Sequence, residues 1–185
     1  MEHKICGWVK LNDLQYLDYH NNEWGKPLHN DNALFELFSL ETQSSGLSWL
    51  TVLKKRDGYR KAFKNFSLET VASYTQEDIN RIFESGLIIK SRPKIEAIIN
   101  NAKLFLEIKK EFASLDNYFW SKVNHKTIIN DVLDYKIACT KSEISEALAK
   151  DLKKRGFKFV GSVTIYAFMQ ASGMVNDHEN GCWCK

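Results

Sequence analysis

Apolar side chains recur three and four residues apart along most of this chain, and alternation of apolar with polar residues is nowhere sustained. That spacing gathers buried side chains on one face of a helix and cannot do so on a strand. Leu34, Leu37, Phe38 and Leu40 predict a helix over residues 31–41. Residues 47–54 predict a second, entered from Ser44-Ser45-Gly46. Tyr59, Ala62, Phe63 and Phe66 form another stripe. Thr75 followed by Asp78 is a capping pair for a helix that carries Ile79, Ile82 and Phe83 and closes at Gly86. Pro93 leads into a long amphipathic helix with Ile95, Ile98, Ile99, Ala102 and Leu106, and Tyr118 to Val123 is a shorter apolar segment. Ser142 caps a helix with Ile144, Ala147, Leu148 and Leu152 that stops at Gly156. A last apolar helix runs from about Val163 to Ala171 and ends at Gly173. Residues 125–141 break the pattern. Ile128-Ile129 and Val132-Leu133 there suit either an irregular loop packed on the core or a short strand pair. The expected class is all-α.

No repeat, low-complexity tract or linker divides the 185 residues, and two prolines with nine glycines exclude collagen-like and linker-dominated chains. One compact domain over residues 1–185 is expected. No apolar run approaches the roughly 20 residues that span a bilayer. Met1-Glu2-His3-Lys4-Ile5-Cys6 offers no apolar core of a signal peptide. These features predict a cytoplasmic protein without a membrane partner, and nothing suggests more than a monomer. A net charge of +3 is too small to name a partner.

Four cysteines, Cys6, Cys139, Cys182 and Cys184, are too few for a disulfide scaffold, so they are reduced thiols or metal ligands. Cys6 with His20 near one end, and His178 with Cys182 near the other, could form a closed tetrahedral structural zinc site that ties the chain ends together. Spacing alone leaves coincidence open, and Cys184 is a competing ligand. Cys139 is expected to be a small buried apolar residue. No His-Glu-x-x-His pair or Pro-Cys-x-x-Cys half-site points to a catalytic metal.

Rings crowd the N-terminal part: Trp8, Tyr16, Tyr19 and Trp24, then Trp49. Aromatic residues usually mean core. Here they are interleaved with Asp18, His20, Asn21, Asn22 and Glu23, and a pocket of ring faces would suit a flat or cationic ligand. If the 31–41 helix is continuous, Glu41 falls on its apolar face beside Leu34, Leu37 and Phe38. A buried carboxylate is either paired or kept for a ligand. If the helix ends earlier, Glu41 is simply solvated. Lys150, Lys153, Lys154, Arg155 and Lys158 surround a glycine-bounded turn, Gly156 to Gly161, that opens the last helix. Exposed backbone N–H groups at such a helix start can hold a phosphate, although a run of cations can equally be a solvated face. Lys54-Lys55-Arg56 and Arg60-Lys61 make a second basic patch.

Taken in order, Cys6-Gly7-Trp8, Tyr19-His20-Asn21-Asn22-Glu23-Trp24-Gly25, Gly46-Leu47-Ser48-Trp49 through Arg56, Arg155-Gly156-Phe157-Lys158-Phe159-Val160-Gly161, and Asn176-Asp177-His178 with Cys182 resemble the 3-methyladenine DNA glycosylase I family of helix-hairpin-helix repair enzymes. The resemblance spans nearly the whole chain, residues 124–142 excepted. It implies a compact helical glycosylase domain that flips 3-methyladenine out of double-stranded alkylated DNA, cuts its N-glycosidic bond and releases the free base. It implies one structural zinc on Cys6, His20, His178 and Cys182. The base pocket carries over as Glu41 with Tyr16, Tyr19 and Trp49, and with Trp8 and Trp24 nearby. Phe159, Val160 and Gly161 look like the phosphate-holding hairpin, flanked by Lys154 and Arg155. Leu47 is the candidate to fill the gap left by the extruded base. The wider superfamily uses an aspartate beyond the hairpin. Residues 162–176 hold no Asp or Glu, and Asp177 precedes an implied zinc ligand, so no such role is assigned to it. The rival reading is a non-catalytic zinc-tied module that binds DNA or a modified base. A small-molecule binder for purine-like cations is a third.

Overall fold

The computed structural model describes residues 4–185 and is helical, with ten α-helices among them. The short α1 (Leu14–Asn22) starts at Asp13, whose side chain accepts from the Tyr16 N–H at 3.2 Å. The next helix, α2 (Asp31–Ser44), is capped by Asn30 and is buried at every residue from Leu34 to Gln43. A helix hidden all round is a central one. It runs past the expected end at residue 41, which puts Glu41 inside it. Gly46 (φ +77°) and Ser48, whose hydroxyl accepts from the Thr51 N–H, turn the chain into α3 (Trp49–Leu53).

The stripe from Tyr59 to Phe66 is not one helix. It divides into α4 (Arg56–Ala62) and a single 3-10 turn in which Lys64, Asn65 and Phe66 all take positive φ. Two helices follow, α5 (Leu68–Ala72) and α6 (Gln76–Glu84), the latter with the expected reciprocal Thr75–Asp78 cap. The long α7 (Arg92–Phe112) carries Pro93 in its first turn and ends at the left-handed Ala113. After α8 (Leu115–Trp120) come α9 (Glu143–Lys154), capped by Ser142, and α10 (Ser162–Ala171).

One large apolar core joins these helices. At its centre the Phe38 ring meets Phe105 and Phe168 edge-to-face, at 4.8 and 5.3 Å between centroids. Each such buried ring contributes about 1.5–3 kcal/mol of transfer free energy. A second, small cluster of Cys6, Val9 and Cys182 lies where the chain ends meet.

The segment from 125 to 141 is mostly irregular. Its strand β1 (Ile128–Ile129) pairs in parallel with β2 (Val175–Asn176), and Val132 bridges to Glu179. A strand pair does form, but its second half comes from the C-terminal segment, a pairing that no local pattern specifies. No described helix is long and apolar enough to cross a membrane.

Candidate functional site

A cavity of about 330 Å³ opens between α1, α2, the start of α3, α10 and the loop before α9. It is lined by all six residues expected there: Trp8, Tyr16, Tyr19, Trp24, Glu41 and Trp49. Trp8 stands 5.0 Å from both Tyr16 and Trp24, and Tyr19 is 5.2 Å from Trp49, so the rings form two contiguous walls. The indole Nε1–H groups of Trp8 and Trp49 are buried donors with no acceptor. Unmatched buried donors are rare because each costs about 1–3 kcal/mol.

Glu41 is 5% exposed. Its carboxylate receives only a long hydrogen bond from the Ser44 hydroxyl, at 3.4 Å, and no ion pair reaches it among the described residues. Burial pushes its pKa up to about 8, with Ser44 opposing weakly. Burial, and then the Glu41 charge, raise the phenols of Tyr16 and Tyr19, so both remain hydroxyls. The site is therefore an aromatic box with one isolated carboxyl, matched to a flat ligand that carries positive charge and donors.

Several lining residues had no local signal in the sequence. Tyr135, Ala138 and Thr140 come from the irregular loop, and Tyr166 and Gln170 from α10. Cys139 is a correction: it is exposed and lines the cavity rather than the core, because the loop carrying it forms part of the cavity wall. Asp177 also lines the cavity. It accepts from Asn130 Nδ2 at 2.7 Å, the Tyr166 hydroxyl at 2.9 Å and Gln170 Nε2 at 2.7 Å.

Behind Trp8 and Trp24 lies a His/Cys cluster. One ligand atom from each of His20, His178, Cys182 and Cys184 falls within a 4.8 Å spread. Three of these four were expected, and Cys184 stands where Cys6 had been placed. The ring nitrogens resolve the arrangement further. His20 Nδ1 lies 2.8 Å from Asn21 Oδ1, and His178 Nδ1 lies 2.9 Å from Asn176 Oδ1, which leaves both Nε2 atoms as the ligating lone pairs. Cys182 Sγ is 3.5 Å from His20 Nε2, close to the separation of two donors on one tetrahedral zinc, whereas Cys184 sits 4.0 Å away on the Nδ1 side. His178 Nε2 is buried without any partner. Burial lowers the His20 pKa and brings that of His178 down to about 4, so both rings are neutral, as metal ligands must be. Cys6 is buried against Cys182, and its sulfur accepts from the Glu179 N–H at 3.3 Å. Gly25 (φ +74°) allows the close approach, because a Cβ there would sit 2.6 Å from the His178 ring. The donor set suits a soft divalent ion.

The basic features divide. Lys154 and Lys158 are exposed. Arg155 is not a free cation: it forks onto Glu111 at 2.6 and 3.0 Å and also reaches Asp151 at 3.1 Å. Three of the five cations in the second patch are spent internally. Arg56 joins Glu23 and Glu36, both at 2.6 Å, Arg60 joins Glu36, and Lys54 joins Asp13. In the turn from α9 to α10, Val160 is buried, Phe159 is 38% exposed at φ +57°, and Gly161 caps α10 with no side-chain acceptor on its first N–H groups. Leu47 is 44% exposed in the turn between α2 and α3.

Fold and cavity together define a helical domain with a carboxyl-bearing aromatic cavity and a His/Cys cluster that joins the N- and C-terminal parts of the chain. The methyladenine glycosylase model matches residues 8–185, and the chain belongs to that family. It is 49% identical over 180 residues to the DNA-3-methyladenine glycosylase of Haemophilus influenzae, covering 97% of each chain. A crystal structure of 3-methyladenine DNA glycosylase I superposes with a TM-score of 0.94 at 45% identity, over 98% of this chain and 99% of the other. The Staphylococcus aureus 3-methyladenine DNA glycosylase I, solved for its 3-methyladenine recognition, superposes with a TM-score of 0.91 at 41% identity, over 94% and 92%.

Proposed function

We propose that this chain is a monofunctional glycosylase that extrudes 3-methyladenine from double-stranded DNA and hydrolyses its N-glycosidic bond. The observation that carries the reading is Glu41, a buried carboxyl with no cation of its own in a box of rings. An N3-methylated adenine in DNA is positively charged and flat. Its exocyclic amine donates to Glu41, while Tyr19, Trp49 and their neighbours face its charged ring. Neutral adenine gains less from both contacts, so selectivity follows from charge.

The cation is already a good leaving group. The bond from the sugar carbon to the base nitrogen breaks, its electron pair neutralises the base, and water adds to the sugar carbon as its proton leaves to solvent. The protein thus needs to extrude and hold the base more than to acidify it. The turn from α9 to α10 acts as the hairpin of a helix-hairpin-helix element. Its uncapped N–H groups at Gly161 and beyond, with Lys154 and Lys158, hold a phosphate. Leu47 fills the space the base vacates.

A structural zinc on Cys6, His20, His178 and Cys182 would tie the two chain ends and brace the Trp8–Trp24 wall, without taking part in the reaction. Cys184 meets His20 on the Nδ1 side, whereas Cys6 packs against Cys182, and this supports Cys6 over Cys184 as the fourth ligand. The protein works as a monomer in the cytoplasm.

The test is release of free 3-methyladenine from methylated duplex DNA, against undamaged DNA, by the wild type and Glu41→Gln. Excision by the wild type and its loss in a folded Glu41→Gln support the enzyme. Lesion binding without release would establish the non-catalytic module instead.

A further inference from the structure

We propose that Asn101 is a positioning residue for DNA binding, its buried side-chain amide setting the peptide planes of the turn between α9 and α10. The inference rests on the reading of that turn as the phosphate-holding hairpin. Asn101 lies in the middle of α7, 1% exposed, among the apolar positions Ile98, Ala102 and Phe105. Its Oδ1 accepts from the Lys158 N–H at 2.9 Å, and its Nδ2 donates to the Lys158 carbonyl at 3.2 Å. Both hydrogen-bonding groups of one peptide residue are thus met by a single side chain, as a neighbouring strand would meet them. Asn100 braces the clamp: its Nδ2 donates to Asn101 Oδ1 at 3.2 Å and to the Gly156 carbonyl at 3.1 Å.

The turn needs such a clamp. Beyond the C-terminal bonds of α9, Gly156 N–H to Lys153 and Phe157 N–H to Leu152, it makes no hydrogen bond of its own before α10 begins. The next residue, Phe159, is a non-glycine residue in the left-handed region, a conformation that persists only where its surroundings hold it. Phe157 and Val160 plug the core on either side, and Asn101 fixes Lys158, the first of the two residues between them. With the Lys158 backbone satisfied from below, its side chain, Phe159 and the uncapped start of α10 all face outward. Asn101 itself does not line the base cavity. Its loss should therefore loosen the grip on DNA and leave base recognition intact.

The experiment compares Asn101→Ala, Asn100→Ala and Lys158→Glu with wild type in three assays: affinity for a duplex carrying an abasic-site analogue, affinity for free 3-methyladenine, and kcat and KM for excision. Asn101→Ala should weaken duplex binding and raise KM by about tenfold, the loss expected of two hydrogen bonds. Free-base affinity and kcat should stay within about twofold, with faster hydrogen exchange at the Lys158–Gly161 amides. Asn100→Ala should show the same split at about threefold, and it carries the test should Asn101→Ala fail to fold. Duplex affinity unchanged in Asn101→Ala, while Lys158→Glu weakens it, overturns the proposal and spares the hairpin reading. No effect of Lys158→Glu overturns the hairpin reading itself. Parallel loss of duplex and free-base binding reduces Asn101 to scaffold.

Discussion

Trp24 meets His178 edge-on, with ring centroids 4.6 Å apart and ring planes at 72°. The same indole lines the cavity and stands 5.0 Å from Trp8. One wall therefore serves both the base pocket and the His/Cys cluster, and removal of a metal from the cluster should be felt in the pocket.

Metal content decides the ligand set. About one zinc per chain is expected, lost in Cys6→Ser and retained in Cys184→Ser, because Cys184 lies on the Nδ1 side of His20, where Asn21 already holds that nitrogen. Cys182→Ser should lower Tm more than it changes base selectivity. Elemental analysis of the purified variants checks the first expectation, and the reverse pattern would move the fourth ligand to Cys184.

Glu41 makes a pH-dependent contribution of definite sign. Its carboxyl has an ordinary value of 4.5 and about 8 in the fold, so between these values the folded state keeps a proton that the unfolded chain has lost. Stability from this group is therefore highest below about pH 4.5, falls as pH rises through 8, and is flat above. Glu41→Gln removes the penalty and should be more stable than wild type at pH 9 by on the order of a few kcal/mol, with little difference at pH 4.5. Denaturant unfolding at the two pH values measures this. The same group should make kcat/KM for excision climb through a midpoint near pH 8 toward a plateau at higher pH, since kcat/KM reports the free enzyme.

Stacking is tested at Trp49. Its ring is 5.2 Å from that of Tyr19 in the cavity wall. Alanine there should cost about 1–3 kcal/mol of 3-methyladenine affinity if the base stacks on it. Titration calorimetry with the free base gives the answer, and unchanged affinity would mark Trp49 as packing.

Two adjacent cations should behave differently. Lys154 is exposed, so Lys154→Glu should weaken duplex binding and leave Tm unchanged. Arg155 holds Glu111 and Asp151 together over the rings of Phe112 and Tyr118, so Arg155→Ala should lower Tm. Salt-dependent binding and thermal melts of the two variants separate these roles.

Much of this was legible in one dimension because its causes are local. Helical periodicity, the Thr75 and Ser142 caps and the placing of Glu41 on an apolar face depend on residues three or four apart, and those neighbours are fixed once a helix forms. Aromatic density around α1 was readable for the same reason. Tyr135, Tyr166 and Asp177 were not, because they reach the cavity only when the irregular loop and α10 fold back onto α2. Nor did the string Lys54 to Lys61 disclose that Arg56 and Arg60 are taken by Glu23, just past the end of α1, and by Glu36 in α2. The amino-acid order by itself determined most of the helical segments (α1, α5 and the break after α4 excepted), their apolar faces and where the unusual carboxyl lies. Only the tertiary structure decided which cations stay free, which thiol faces the histidines and which residues close the pocket. Charge pairing and burial are contacts between segments far apart in the chain, and no local spacing encodes them.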